Sequence, residues 1–154
     1  MIALSARLGT RWRRGQRGVA LLEFVIVFPL LVTLVFSIWE AGRIFDAWLV
    51  STNAAREGAR YAITTTNDST VQTQIQQYLT ASYGGRLNTG GGDVTIDPAT
   101  DPATGVTITR PGGASGPVTV AITAGVEIFA PTPFTGFVGP GGNFYVHAWT
   151  TMQQ

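Results

Sequence analysis

The first strong pattern in the chain is an apolar run from Val19 to Trp39. It has 21 residues and one formal charge, at Glu23. Leucine, valine and phenylalanine fall on all sides of a helical projection, which indicates a helix surrounded by lipid or by other helices. Because about 20 apolar residues span a bilayer core as a helix, we predict a transmembrane helix over 19–39. A buried core helix of a soluble protein is the alternative.

Basic residues cluster before this run, at Arg7, Arg11, Arg13, Arg14 and Arg17. From Gly18 onward there are five arginines and nine acidic residues, a formal charge of −4. The positive-inside rule therefore predicts a basic cytoplasmic leader over 1–18 and an extracytoplasmic chain beyond about residue 40. A cleavable signal peptide would need a small-x-small site after the run. The sequence Glu40-Ala41-Gly42-Arg43 offers none, which favours a retained segment.

The helical pattern continues over 40–63 without a glycine–proline break. A single helix over 19–63 would be about 67 Å long, and about half of it would project beyond the bilayer. Pro29 would leave the carbonyl of Val25 without its donor and should bend the helix. Arg43 lies at three-residue spacing from Glu40 and Asp46, which favours ion pairs. Small residues also form a seam that allows close packing: Ala47, Ser51, Ala54, Ala55, Gly58 and Ala62.

The remaining segment, 64–154, is predicted to form a small α+β domain. Asn67-Asp68-Ser69 caps a short helix over 71–82, which Gly84-Gly85 ends. Its predicted buried face carries Val71, Ile75, Tyr78 and Leu79. Four β-branched runs predict strands at 94–96, 106–109, 118–129 and 144–151, with the last beside the third and a bulge at Gly125. The proline-rich loop 130–142 would be a lid or a contact surface. The fold class is α+β: a long N-terminal helix, a short second helix and a small antiparallel sheet.

Composition and motifs argue against catalysis. The chain has no cysteine, which excludes disulfides, thiolate metal sites and cysteine nucleophiles. It shows no nucleophile elbow, zinc-protease helix or phosphate-binding loop. His147, the only histidine, reads as a structural strand residue. Asp93, Asp97 and Asp101 could offer oxygens to calcium, but their spacing is not that of an EF-hand, and solvated turn aspartates are favoured. We predict no catalytic residue, metal, cofactor, small-molecule substrate or nucleic-acid partner.

Glu23 is unusual because an ionised carboxylate inside a membrane helix costs about 2.5–3.5 kcal/mol on insertion scales. One interpretation is that it lies at the interface and pairs with Arg17. The string from Arg17 to Phe24 also resembles a type IV prepilin processing site: a basic leader, a glycine, and an apolar helix with glutamate at its fifth position and an aromatic next. That resemblance implies a cut between Gly18 and Val19 by a membrane prepilin peptidase. It also implies that Glu23, with Phe24 beside it, serves subunit assembly by pairing with the Val19 amine of a neighbouring subunit.

The segment 51–62, together with Glu23-Phe24, Pro29 and Glu40–Arg43, is similar to the TadE-like family of pilus-assembly proteins. These are minor pilins or pseudopilins of the tight-adherence (Flp, type IVb) pilus system. The resemblance covers about residues 15–63 and implies a pilin-like architecture. Within it lies a helix contact stripe: Asn53, Arg56, Glu57, Gly58 and Arg60. This stripe is either a solvated face with local ion pairs or a contact with another subunit.

The sequence therefore predicts a structural, non-enzymatic minor pilin or pseudopilin. The resemblance implies a single-pass protein of the bacterial inner membrane with a periplasmic C-terminal domain, and a place in a surface pilus after assembly. Its partners would be the prepilin peptidase, other pilins and the pilus assembly platform. The alternative is an uncleaved membrane scaffold or binding subunit of the same or another secretion machine, which would keep its leader arginines. An anchored extracytoplasmic enzyme would need a catalytic constellation that the sequence lacks.

Overall fold

The computed structural model describes residues 13–87, 92–113, 116–129 and 142–153, with side chains from Gly18 onward. The chain divides into two compact units, one ending at Ile38 and one beginning at Trp39. Helix α1 (Arg13–Ala62) has 50 residues and continues through Pro29. The predicted continuation of the helix beyond the apolar run is confirmed, although α1 ends one residue before the predicted Ile63.

The first unit carries the apolar run on α1. Most of its large apolar side chains are exposed, from Val19 at 69% to Ile38 at 65%. The hydroxyls of Thr33 and Ser37 each donate to the carbonyl four residues earlier, both at 2.8 Å, so these polar groups are satisfied within the helix. Among the described residues, α1 is the one helix long and apolar enough to cross a membrane, judged by length and composition.

Helix α2 (Asp68–Tyr83) begins and ends as its flanking residues predict. The Asn67 side chain accepts a hydrogen bond from the Ser69 N–H at 3.2 Å, which satisfies one of the free donors at the helix start. The helix ends at Gly84, whose φ of +56° suits a residue without Cβ. The buried side chains are Val71, Ile75, Leu79 and Tyr83.

The predicted burial of Tyr78 is wrong. Its side chain is 37% exposed, and Tyr83 is buried instead. The buried residues follow one another at four-residue spacing, which places the centre of the buried face between Ile75 and Leu79. Tyr78 lies about 80° from that centre around the helix axis, so its ring reaches only the edge of the core.

The sheet is built around its third strand. Its strands are β1 (Val94–Thr95), β2 (Gly105–Thr109), β3 (Val118–Glu127) and β4 (Asn143–Met152), all antiparallel to their partners. β4 pairs with all ten residues of β3, so β1 and β2 share the other edge of β3. The predicted α+β class and the return of the last strand beside the third are confirmed.

The predicted bulge at Gly125 is wrong, because the β3–β4 register runs through the Gly125–Tyr145 pair without an extra residue. A Cβ at Gly125 would come within 3.2 Å of the Thr104 side chain. Close approach of a neighbouring loop therefore explains this glycine better than a strand defect does.

The small-residue seam of α1 is buried within the second unit. Its members are all buried: Ala47, Ser51, Ala54, Ala55, Gly58, Ala59 and Ala62. They join one hydrophobic core with α2 and with alternate residues of β3. A Cβ at Gly58 would lie 2.5 Å from Cδ1 of Ile75. The seam thus lets α2 approach α1 closely. Of the predicted contact loop 130–142, residues 130–141 lie outside the described residues.

Candidate functional site

The predicted processing position lies in the first unit. Gly18 and Val19 are both exposed and both helical, and a Cβ at Gly18 would meet nothing within 4 Å. Packing within the described chain therefore does not require a glycine there. Glycine costs a helix about 1 kcal/mol relative to alanine, so it eases the local unwinding that a protease needs to reach this peptide bond.

The predicted assembly residues follow one turn later. Glu23 is exposed, and it has no ion-pair partner among the described side chains. The Phe24 ring stacks on Phe28 with centroids 5.2 Å apart. The side chain of Arg17, the alternative partner for Glu23, lies outside those described. The assembly role of Glu23 therefore stays a prediction.

The second unit contains a cluster of charged side chains that joins α1 to the sheet. Glu40, Arg43 and Asp93 have side chains only 7%, 10% and 12% exposed. Arg43 donates from Nη1 to the Glu40 carboxylate at 2.7 Å and from Nε to the Asp93 carboxylate at 3.0 Å. Its Nη2 donates to the carbonyl of Glu127, at the end of β3, at 3.0 Å. One guanidinium thus binds three separate segments.

Arg86 completes this cluster from the turn after α2. Its Nε donates to Asp93 at 3.2 Å, and its Nη1 pairs with Asp46. The predicted Arg43–Glu40 pair is confirmed, but the predicted Arg43–Asp46 pair is wrong. The Arg43 guanidinium is committed to Asp93 and Glu40, and Asp46 finds its partner 40 residues away.

The two arginines change the ionisation of Asp93. Burial raises the pKa of its carboxyl group, but hydrogen bonds and charge from Arg86 and Arg43 outweigh burial and hold that pKa below its ordinary value. The other Glu40 oxygen accepts the Phe129 N–H at 2.9 Å. Each charged side chain of this cluster therefore has a partner within the second unit, and the cluster joins α1, the turn after α2 and the sheet.

Sequence reasoning missed this cluster, because its contacts join residues far apart in the chain. Two signals pointed to it. Arg86 directly follows the glycine pair that ends α2, and Asp93 directly precedes β1. Each is a charge beside a buried element, where an unpaired charge is costly.

The predicted helix contact stripe divides between two faces of α1. Asn53, Arg56, Glu57 and Arg60 are exposed, whereas Gly58 is buried. Arg60 and Glu57 form a pair at 3.6 Å with side chains 71% and 59% exposed. Such an exposed pair contributes little to stability. The four exposed residues therefore remain free to meet another molecule.

The three turn aspartates are held apart by separate partners. Asp93 binds two arginines, as above. Asp97 accepts the Ala99 N–H at 3.0 Å, and Asp101 accepts the Ala103 N–H at 3.0 Å and the Tyr145 hydroxyl at 2.9 Å. No group of three or more metal-ligating side chains occurs in the described parts of the chain. The prediction of a solvated turn aspartate agrees with the exposed Asp97, but it is wrong for Asp93, whose side chain is only 12% exposed and is paired with arginines.

His147 lies on β4, and its Nδ1 is 3.0 Å from the hydroxyl of Thr123 across the strand pair. Its side chain is exposed, and its hydrogen bond is a cross-strand contact of the sheet. The structure thus places it where the sequence predicted a strand residue.

These observations define a class of protein: a small α+β unit continuous with a helix whose apolar stretch suggests single-pass membrane anchoring. The family model described as TadE-like protein matches residues 18–60. That match confirms the predicted resemblance and is consistent with a TadE-like protein of the tight-adherence pilus system. TadE-like pilus proteins are structural proteins. No curated protein and no solved structure matches the chain.

Proposed function

We propose that the chain is a minor pilin or pseudopilin of a tight-adherence pilus, cut by a prepilin peptidase between Gly18 and Val19. The observation that carries this proposal is the family match over 18–60, which includes the exposed apolar run 19–39 with its single carboxylate at Glu23. In the processed chain Glu23 would be the fifth residue. The exposed Glu23 and the exposed Gly18 have no role in the packing of the described chain. The proposed function gives each of them a role, in assembly and in processing.

The chain is the substrate of this reaction. Water adds across the Gly18–Val19 peptide bond and leaves a carboxylate on Gly18 and an amine on Val19. The cut removes the leader arginines and places a positive charge at the start of the apolar helix. When α1 packs beside a neighbouring subunit, that amine can pair with Glu23. Pairing offsets the cost of a charge in an apolar environment.

The proposed location follows from the charge pattern. The basic leader stays in the cytoplasm, α1 crosses the bacterial inner membrane, and the second unit lies in the periplasm before assembly into the pilus. The partners are the peptidase, other pilins and the assembly platform. The exposed residues Asn53, Arg56, Glu57 and Arg60 are a proposed contact of the assembled helix, because the opposite face of α1 is already buried in the second unit.

Intact mass tests the processing step. The chain is expressed with and without the peptidase, as wild type, Gly18→Ala and Gly42→Ala. Gly42 is the matched control, because a Cβ there also meets nothing within 4 Å. We expect a new N-terminus at Val19 only when the peptidase is present, lost in Gly18→Ala and kept in Gly42→Ala. A chain that keeps Arg7–Arg17 despite an active peptidase would favour the uncleaved scaffold subunit.

Assembly is tested separately with Glu23→Gln. This change keeps the size of the side chain and removes its charge. We expect normal processing and membrane insertion but loss of the chain from purified pili. Glu127→Gln, at an exposed carboxylate outside the proposed assembly contacts, is the charge-matched comparison. If Glu23→Gln enters the filament as well as wild type does, the proposed amine–carboxylate pair has no part in assembly.

A further inference from the structure

Five exposed aromatic side chains gather at the end of the second unit where the chain enters it. They are 41–59% exposed: Trp39, Phe45, Trp48, Phe129 and Phe144. The rings of Trp39 and Phe129 both lie against the Arg43 guanidinium, with centroids 5.1 and 4.7 Å away. The other three rings border one apolar cavity of about 460 Å³ between α1 and β4. We call these five residues the aromatic rim.

We propose that the aromatic rim rests in the headgroup layer of the membrane that α1 crosses, so that the second unit lies on the bilayer surface. This inference rests on the membrane anchoring proposed above. It adds that the folded unit itself, through Phe129 just after β3 and Phe144 of β4, is a lipid-binding surface. Aromatic rings favour this layer because their apolar faces meet the acyl chains while their dipoles and N–H groups stay hydrated.

The position of the aromatic rim along the chain supports a contact with the lipid headgroup layer. Val19–Ile38 has 20 residues, about 30 Å of helix, which equals the thickness of the hydrocarbon core. Phe45 lies about 10 Å further along the helix axis, and each headgroup layer is about 5–8 Å thick. Side chains of a helix lean toward its N-terminus, so the Phe45 ring reaches back toward that layer, while Trp48, about 15 Å past Ile38, lies on its aqueous side.

The charges around the rim also support a lipid surface. Glu40 and Arg43 lie beneath the rings and are paired and nearly buried, so they present little bare charge to the membrane. The cluster of Glu40, Asp46, Asp93, Arg43 and Arg86 sums to −1. Attraction to anionic lipid therefore cannot drive the contact, and zwitterionic phosphatidylcholine should suffice.

Nitroxide depth measurements test the inference, and the absence of cysteine permits labelling without background. Single cysteines replace Leu30 in the span, Phe144 in the rim, and Thr151 as a control. Thr151 is exposed on the same strand about 24 Å from Phe144. Each labelled full-length chain is placed in phosphatidylcholine nanodiscs at one chain per disc. Accessibility to oxygen is compared with accessibility to a water-soluble nickel chelate.

We expect the oxygen-to-nickel ratio to be highest for Leu30→Cys and several-fold higher for Phe144→Cys than for Thr151→Cys. Because Phe144→Cys removes one ring, Ala41→Cys, beside the same cavity, provides a second label. Adding Phe45→Ser and Phe144→Ser to Ala41→Cys should lower its ratio toward that of Thr151→Cys. The circular dichroism spectrum of each variant confirms that the unit is folded.

Three outcomes would overturn the inference in distinguishable ways. In the first outcome the Leu30 label is protected from the nickel chelate, but the Phe144 label has the same oxygen-to-nickel ratio as the Thr151 label. The chain is then anchored in the membrane, and the aromatic rim does not contact lipid. If the Leu30 label is accessible to the nickel chelate, α1 does not cross the bilayer. The membrane anchoring and the inference that rests on it are then both refuted. Protection of Phe144 only in discs that hold two or more chains, with dipolar broadening between labels, would show that a second copy covers the rim.

Discussion

Arg43 and Asp93 lie fifty residues apart in the chain, and Nε of Arg43 donates to the Asp93 carboxylate at 3.0 Å. The two side chains are 10% and 12% exposed. The contact joins α1 to the segment that precedes β1. An ion pair this deeply buried behaves differently from a surface pair, because removing one partner leaves a buried charge with fewer counter-charges and little water to solvate it.

Replacing Arg43 should therefore destabilise the second unit strongly. We expect Arg43→Ala to lower the free energy of unfolding by about 3 kcal/mol, since Glu40 stays buried without a cation and Asp93 keeps only Arg86 as its cation. The matched control is Arg60→Ala, whose pair with Glu57 is exposed and whose loss should cost less than about 0.5 kcal/mol. Urea unfolding of the full chain in detergent, followed by near-ultraviolet circular dichroism, measures both. Equal losses would contradict the role assigned to the cluster.

The lowered pKa of Asp93 predicts a loss of stability in acid. Its folded-state pKa is below the unfolded value, so its contribution is present above about pH 4 and is lost as pH falls through the folded pKa. Urea midpoints measured from about pH 6 to about pH 3 should fall for wild type. Asp93→Asn should start lower and change less with pH. Asp97→Asn, at an exposed turn, should keep the wild-type acid dependence, and a matching loss there would refute the assignment to Asp93.

The elements that could be predicted from the sequence are those set by local chemistry. The length of the apolar run, the Asn67 cap and the glycine at position 84 each determine a helix or its boundary through neighbouring residues alone. The predictions for Asp46 and Gly125 were wrong because the deciding groups, Arg86 and Thr104, are distant in the chain. No local spacing rule contains those contacts.

For the candidate site, the sequence is more informative than the structure of a single chain. Glu23 could be predicted from the sequence because a carboxylate is costly in an apolar membrane helix, and Gly18 and Val19 follow from the resemblance of this segment to a prepilin processing site. Among the residues and side chains that the structure describes, no intramolecular contact explains either feature. Their proposed partners are other molecules, so the sequence carries more information about them than one folded chain does. The small-residue seam differs again, since its close packing was predicted but its partner, α2, was not.

The raised pKa of Tyr83 predicts a loss of stability at alkaline pH. Burial raises its pKa to about 12, although the hydrogen bond with Ser51 opposes this shift. The neutral phenol donates to the Ala47 carbonyl at 2.8 Å. Its contribution is complete below the unfolded pKa of about 10 and is lost as pH rises through the folded pKa, amounting to about 2–3 kcal/mol.

We expect tyrosinate absorbance to show one tyrosine that ionises only as the second unit unfolds, and Tyr83→Phe to remove that delayed step. Tyr78→Phe is the comparison, because Tyr78 is 37% exposed. If Tyr83→Phe leaves the delayed step in place, the buried phenol is not its source.

The close approach of α1 and α2 predicts opposite effects for two glycines of the same helix. A Cβ at Gly58 would lie 2.5 Å from Cδ1 of the buried Ile75, whereas a Cβ at Gly42 would meet nothing within 4 Å. Alanine favours a helix over glycine by about 1 kcal/mol, and overpacking a core costs about 1–3 kcal/mol. Gly42→Ala should therefore raise the free energy of unfolding by about 0.5–1 kcal/mol, and Gly58→Ala should lower it by about 1 kcal/mol.

Shortening the opposing side chain distinguishes a steric cause from a conformational one. Ile75→Ala removes both Cδ1 and Cγ1, the two atoms nearest to a Cβ at position 58. On its own Ile75→Ala costs about 2–5 kcal/mol. Combined with Gly58→Ala, the loss should be smaller than the sum of the two single losses, because the new methyl group occupies the vacated space. Urea unfolding of the four chains completes this double-mutant cycle. Simple additivity would mean that Gly58 is required by the backbone of α1 and not by its contact with α2.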